Sequence, residues 1–284
     1  MIGKEKRMNT DDYTALIDDY NTWGKQLEEL LRLQTHPVAV KWYEKAADLP
    51  DDILVPTKVL NKHMALCQAF SYARMAGACV ALTKRDHWCW DPLIGYGHVE
   101  CYPGHPQFDQ VSRYMGISGK RTAEDFIEKY PKLPFGKYEA VAVAPLSGCS
   151  FAPDVVTLYT TPAKLNYLMG CITRVVGGSI TSVFDSVGSC VYCTVPSFLT
   201  GEFRITLPDP GERERARARE DEIILTIPAA HLEELVQAVD RMSRFMPCDD
   251  FRVDLTLDFP RPAFYNELYQ LWGLDTDADW TPEK

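Results

Sequence analysis

The sequence lacks long hydrophobic runs, an excess of basic charge and the common nucleotide-binding and hydrolase motifs. With no stretch of about 18 apolar residues, it predicts no membrane-spanning helix. The formal net charge of −10 predicts no nucleic-acid partner, because phosphate contacts need clustered Lys and Arg. The patterns GxxxxGKS/T, GxGxxG after a strand, HExxH and GxSxG are absent, so no P-loop, dinucleotide-binding, zinc-protease or α/β-hydrolase function is indicated.

The composition is that of an ordinary globular protein. Of the 284 residues, 46% are hydrophobic and 25% charged, and no Gly-, Ser- or Pro-rich linker divides them, so we expect a single domain over residues 1–284. Residues 1–10 are charged and have no apolar core, so they are not typical of a secretory signal peptide. We therefore expect a cytoplasmic protein with reduced thiols, and a homo-oligomer is a common state for such proteins.

Helical and strand patterns alternate along the chain. Such alternation predicts an α/β (mixed α+β) fold in which a mixed sheet is covered by helices. An aromatic-rich loop is expected at 85–106. The predicted helices are 11–33, 62–76, 107–115, 122–130, 161–176 and 229–246, with a short one after Pro260. The predicted strands are 38–43, 79–83, 140–144, 155–159, 179–184, 203–207, 222–227 and 251–258.

Two parts of the chain share an order of strand, helix, glycine, strand and cysteine. Gly77 and Cys89 in the first part correspond to Gly178 and Cys190 in the second, with an offset of 101 positions. One interpretation is an internal duplication with halves at 36–110 and 150–200, which would bring both cysteines to one cleft. The other is that this order is common in any α/β protein.

Charged residues of both signs alternate at 211–221. Because acid and base are interleaved, the net field of this segment is small. We expect a solvated connector or a short exposed helix there.

Nine cysteines are an odd and high number for a protein with reduced thiols. In that setting metal binding or redox chemistry is a better explanation than a disulfide framework. Cys190 and Cys193 form the one CxxC, a spacing that suits zinc, an iron–sulfur cluster or a redox pair. A lone cysteine is usually a small core residue, which is the expectation for the remaining cysteines unless they face the same cleft: Cys67, Cys79, Cys149, Cys171 and Cys248.

The loop at 85–105 combines histidines and cysteines with aromatic residues. Imidazole and thiolate are ligands that zinc and iron prefer, although the spacing here matches no zinc finger. Cys89 is the strongest candidate because Trp88 and Trp90 give its thiol a shielded setting. The aromatic side chains would either wall a pocket for a flat organic ligand or pack the loop against the core. The potential ligands in this loop are His87, Cys89, His98, Cys101 and His105.

Several short segments, in their order and spacing, resemble an uncharacterised prokaryotic group, domain-of-unknown-function family 169. The resemblance covers roughly residues 20–260 and includes Cys89 after the strand that follows Gly77. It implies a bacterial or archaeal cytosolic protein and supplies no established activity. The segments are 37–41, 65–69, 188–190, 199–202, 210–213, 221–222 and 227–228.

The same resemblance implies a set of three cysteines: Cys67, Cys89 and Cys190. Cys193 departs from the family pattern, where a small residue is usual, and this favours a three-cysteine site over a CxxC site. Whether Cys193 or a histidine, His87 or His98, completes the site stays open.

Three functions follow as hypotheses. In the first, the three cysteines and Cys193 or a non-protein ligand bind an iron–sulfur cluster that acts in a redox or catalytic reaction on a small molecule. In the second, the protein binds a small molecule or tetrapyrrole without catalysis, and its cysteines are structural or hold zinc. In the third, a cysteine nucleophile is assisted by His87 or His98. The expected partner is accordingly a small-molecule ligand or a redox protein.

Overall fold

A computed structural model describes residues 10–105, 108–114, 119–177, 179–184, 187–246, 248, 267–268 and 270–273. The chain divides into two compact units, Met1–Cys248 and Asp249–Lys284. The sheet and its covering helices lie in the first unit. The strand predicted at 251–258 falls outside the described residues. Within the described part, no helix is long and apolar enough to cross a membrane.

Six strands form one sheet in the order β2-β3-β1-β4-β6-β5. Every ladder between these strands is antiparallel, for example Val40 opposite Val143 and Val156 opposite Ile227. The mixed α/β class is therefore confirmed, with an antiparallel sheet where the alternation of elements had predicted a mixed one. The strands are β1 Val38–Tyr43, β2 Val80–Thr83, β3 Ala140–Pro145, β4 Val155–Thr160, β5 Arg204–Thr206 and β6 Ile223–Pro228.

Helices cover both faces of the sheet because successive strand residues point to opposite sides. On β1, Val38, Val40 and Trp42 pack in a core with α3, α4, α6 and α8, whereas Ala39 and Tyr43 pack in a second core with α1, α7 and α10. The helices are α1 Thr10–Leu30, α2 Pro56–Val59, α3 Leu66–Ala76, α4 Trp90–Gly95, α5 Phe108–Tyr114, α6 Lys120–Lys129, α7 Pro162–Val176, α8 Ser189–Thr200, α9 Pro210–Ala216 and α10 Leu232–Ser243.

Local sequence signals set several helix ends. At the start of α7, the Thr161 hydroxyl accepts a hydrogen bond from the Lys164 amide at 3.4 Å, and Pro162 occupies the first turn. At the end of α3, Gly77 adopts a left-handed conformation with φ of 68°. These signals explain why the helix predictions were close to the observed bounds.

The predicted strand at 179–184 is wrong. These described residues form no strand, and Val183 and Phe184 are exposed. Both edges of β4 are already paired, to β1 and to β6, so the sheet offers no place beside β4 for this segment. The internal duplication, which needed a second strand–helix–strand unit here, is not confirmed.

Candidate functional site

The beginnings of α4 and α8 meet on the α3 side of the sheet. Cys89 is the residue immediately before α4, and Cys190 lies in the first turn of α8. The two helices approach so closely that a Cβ on Gly95 would collide with the Val191 side chain. This close approach places Cys89 and Cys190, which are 101 positions apart in the chain, in one region.

A glycine precedes α8 for a similar reason. Gly188 has φ of +63°, and a Cβ there would lie 2.7 Å from Asp91 Oδ1 and against the Tyr130 hydroxyl. The same carboxylate accepts hydrogen bonds from Tyr130 at 2.9 Å and from the Cys89 thiol at 3.3 Å. Asp91 thus lies between the α4 and α8 starts and fixes the position of the Cys89 side chain.

The start of α9 supplies two more carboxylates. Asp209 caps α9, because its Oδ1 accepts a hydrogen bond from the backbone N–H of Glu212 at 2.7 Å. Its Oδ2 accepts a hydrogen bond from the backbone N–H of Ser189 at 2.9 Å. Glu212 accepts hydrogen bonds from the Ser189 hydroxyl at 2.5 Å and from the Tyr159 hydroxyl. These contacts join α9 to the first turn of α8.

Burial and a shared set of neighbouring charges, Asp209 among them, raise the pKa values of Cys67, Cys89 and Cys190. Burial raises the pKa of Cys67 far above its usual range, and the charges of Glu212, Cys89 and Asp209 raise it further. Burial likewise raises the pKa of Cys190, followed by the charges of Cys67, Asp91 and Cys89. The pKa of Cys89 is raised by burial and then by Asp91. All three are therefore protonated thiols at neutral pH.

Cys193 has a different environment. Its thiol is buried, donates to the Cys190 carbonyl at 3.4 Å, and interacts with the hydroxyls of Thr157 and Thr226 on the sheet. Burial and the charge of Glu212 raise its pKa. The CxxC thus occupies the beginning of a helix, as a redox pair would, but Cys193 packs against the sheet.

A buried ion pair adjoins the site. The Arg74 guanidinium binds both oxygens of Glu222, at 2.7 and 3.2 Å, and lies over the Tyr159 ring at 4.1 Å from its centroid. Burial raises the pKa of Glu212 to about 7, and the hydrogen bonds from Ser189 and Tyr159 lower it. Because its guanidinium donates hydrogen bonds to both oxygens of Glu222, Arg74 forms its ion pair with that carboxylate and not with the thiols.

The loop histidines form a separate pair. The rings of His87 and His98 are buried with centroids 5.5 Å apart. Burial lowers the pKa of His87 to about 3 and that of His98 to about 4, so both are neutral at pH 7. His105 contacts Tyr102 instead, with ring centroids 5.1 Å apart. As the side chains stand, no group of three or more His, Cys, Asp and Glu residues in the described ranges is arranged to hold a metal ion.

The segment at 211–221 was expected to be a solvated connector or a short exposed helix; a short helix is present, but it is partly buried. It contains most of α9, and Glu212 and Ala216 are buried, as is Glu222 just after the segment. The sequence did contain a signal, because Asp209 followed by Pro210, with Glu three positions after the Asp, is typical of a helix start. The mixed charges concealed it, since alternating acid and base usually marks a solvated surface.

The chain has recognisable relatives. Residues 26–238 match the family DUF169, described as uncharacterised ArCR. The chain is 23% identical over 234 residues to the uncharacterized protein MJ0308 of Methanocaldococcus jannaschii, an alignment that covers 82% of this chain and 98% of that protein. No solved structure matches the chain.

Proposed function

The chain belongs to the DUF169 family, and from its own site we propose that Cys67, Cys89 and Cys190 bind an iron–sulfur cluster. The cluster would act in a redox or catalytic reaction on a small molecule. The observation that supports this most is the convergence of three thiols, from three different helix regions, into electrostatic range of one another.

The charges around the thiols favour a cation. Asp91, Asp209 and Glu212 all border the three cysteines, and the nearest buried cation, Arg74, is paired with Glu222. Burial, and after it the neighbouring negative charges, raise the pKa values of the three thiols. A bound iron centre would compensate that charge, and thiolates must be deprotonated to bind it, so loading would release protons.

Three thiolates would leave one iron of a four-iron cluster without a protein thiolate. Such an iron is available to a substrate or to a non-protein ligand. Cys193 is not needed in this arrangement, because its thiol is turned towards Thr157 and Thr226. Ligation would require the Cys89 thiol to leave its hydrogen bond with Asp91.

The cysteines support a cytoplasmic location for this function. All nine are free thiols in the structure, and reduced thiols are the rule in that compartment. The raised pKa values also disfavour a cysteine nucleophile, which needs a lowered pKa to be reactive at neutral pH.

Anaerobic purification and reconstitution with iron and sulfide tests the proposal. We expect a brown protein with stoichiometric iron and acid-labile sulfide, and separate loss of both in Cys67→Ser, Cys89→Ser and Cys190→Ser. The matched controls are Cys149→Ser and Cys171→Ser, which replace buried thiols in the core on the opposite face of the sheet. A colourless wild-type protein with bound zinc, or full iron content in all three site variants, contradicts the proposal.

A further inference from the structure

A groove of about 320 Å³ lies between α3 and α9. It continues the same helix pair that brings Cys67 near Glu212. Tyr72 and Met75 of α3 form one wall, and Arg215 and Arg217 form the other. Since Gln68 also lines the groove and directly follows Cys67, the groove begins about 1.5 Å along the α3 axis from that cysteine.

Hydrogen bonds between the two helices fix the walls. The Ser71 hydroxyl donates to the Ala216 carbonyl, and the Gln68 amide donates to the Arg215 carbonyl at 3.4 Å. These bonds use the helix-terminal carbonyls of α9, which an α-helix leaves unsatisfied. The groove is therefore preformed, because hydrogen bonds from α3 side chains to the α9 backbone fix the positions of the two helices.

The groove carries positive charge on an acidic protein. The whole chain has a formal charge of −10, yet Arg215 and Arg217 line the groove and none of its lining residues is acidic. Arg215 forms a long ion pair, of 3.9 Å, with Glu214, whose side chain is 76% exposed. The Arg215 guanidinium also lies 5.5 Å from the ring centroid of Trp88, which extends the aromatic surface beside the groove.

Arg217 occupies an unfavourable backbone conformation. It ends α9 with φ of +56°, in the left-handed region where glycine is the usual residue. An L side chain there costs free energy, and such conformations are concentrated at functional sites. Its side chain lies at the groove, which gives a reason for an arginine at a position suited to glycine.

We propose that the α3–α9 groove binds a small organic anion with a flat apolar body. The guanidinium groups of Arg215 and Arg217 would bind its carboxylate or phosphate, because a guanidinium donates two parallel hydrogen bonds to such groups. Tyr72 and Met75, which are 50% and 47% exposed, would cover the apolar body. The position beside Cys67 suits a ligand delivered to the thiol site, but the binding itself needs no metal.

Titration calorimetry on the full-length, metal-free protein tests this inference with three probes of the same ring system. They are 2-naphthoate, 2-naphthyl phosphate and the neutral 2-naphthamide. We expect the two anions to bind and the amide to bind at least about tenfold more weakly, in line with the strength of charge-assisted hydrogen bonds. The ratio between the two anions distinguishes a carboxylate site from a phosphate site.

Two variants locate the binding. Arg217→Gly removes the charge and relieves the backbone, so we expect at least about tenfold weaker anion binding with no loss of thermal stability. Met75→Glu places a negative charge in the groove, which repels the anionic ligand, so we expect it to weaken anion binding to a similar extent. Arg32→Gly is the matched control, because Arg32 is also an exposed arginine with a left-handed φ, of 46°, and it follows α1 without lining the groove.

Three results would overturn the inference: no binding of either anion at millimolar concentration, equal binding of the neutral amide, or unchanged affinity in both groove variants. Because the protein is metal-free throughout, these outcomes are independent of whether the thiols bind a cluster.

Discussion

The buried Arg74–Glu222 pair provides a sharp test of how the α3 side of the protein is stabilised. Both side chains are almost fully removed from solvent, with exposed fractions of 0% and 6%, and the guanidinium contacts both carboxylate oxygens. Replacing Arg74 by Met keeps much of the side-chain volume and removes the charge. Glu222 then remains buried and retains the Arg219 amide, at 2.8 Å, as a hydrogen-bond donor.

The expected loss of stability in Arg74→Met follows from the buried charge that remains on Glu222. Removing one partner of a buried pair costs about 3–5 kcal/mol. For a protein of this size, that corresponds to a fall in melting temperature of roughly 10 °C. The double variant Arg74→Met/Glu222→Gln, which leaves no buried charge, should lose clearly less than the single variant. Urea unfolding of the wild type, both single variants and the double variant completes a double-mutant cycle, which measures the interaction energy between the two side chains.

The result that refutes this reasoning is additivity. If the double variant is destabilised by the sum of the two single changes, the two side chains do not interact energetically. A single Arg74→Met variant within about 1 kcal/mol of the wild type would likewise show that the pair carries little net stability.

The remaining predictions concern His98 and Gly188. The folded pKa of His98 is lowered to about 4 by burial and then by Lys84, and the unfolded value is about 6.5. The unfolded chain therefore takes up a proton first as pH falls, and stability is lost below pH 6.5. His98→Phe should abolish about 2 kcal/mol of the loss between pH 7 and 5, as measured by urea unfolding at the two pH values. Gly188→Ala should lower stability more than Gly201→Ala, because both glycines are left-handed, with φ of 63° and 69° and ψ of 40° and 22°, but only the Cβ at 188 meets Asp91 and Tyr130; equal melting temperatures would contradict the role assigned to this contact.

Much of the fold could be predicted because its strands and helices carry strong local patterns. β3 is a continuous buried run at 140–145, and α7 begins with Thr161-Pro162 and ends before Gly177. The segment at 179–184 has a strand-like composition, but both edges of β4 are occupied by β1 and β6, and pairing is decided by the whole sheet. Register and the antiparallel order are likewise non-local, so the sequence patterns did not supply them.

At the site, the cysteines could be singled out but their surroundings could not. Cysteine is a residue type that suggests metal or redox chemistry by itself, and the family resemblance grouped three of them: Cys67, Cys89 and Cys190. Asp91 and Glu212 become important only through contacts that cross the chain, such as those with Tyr130 and Ser189. A carboxylate carries no mark of burial in the sequence, whether it follows tryptophans, as Asp91 does, or lies among charges, as Glu212 does, so its contacts could not be predicted.

The long separation of the three neighbouring thiols has a consequence for biosynthesis. Cys89 leaves the ribosome 101 residues before Cys190, which is an interval of roughly 5–20 s at ordinary translation rates. During that time Cys67 and Cys89 lack the shielding of α8 and α9, and their thiols ionise as they do in any solvated peptide. The nascent chain is thus more vulnerable to oxidants than the finished protein, and its early cysteines acquire protection only when the second half of the sheet has been synthesised.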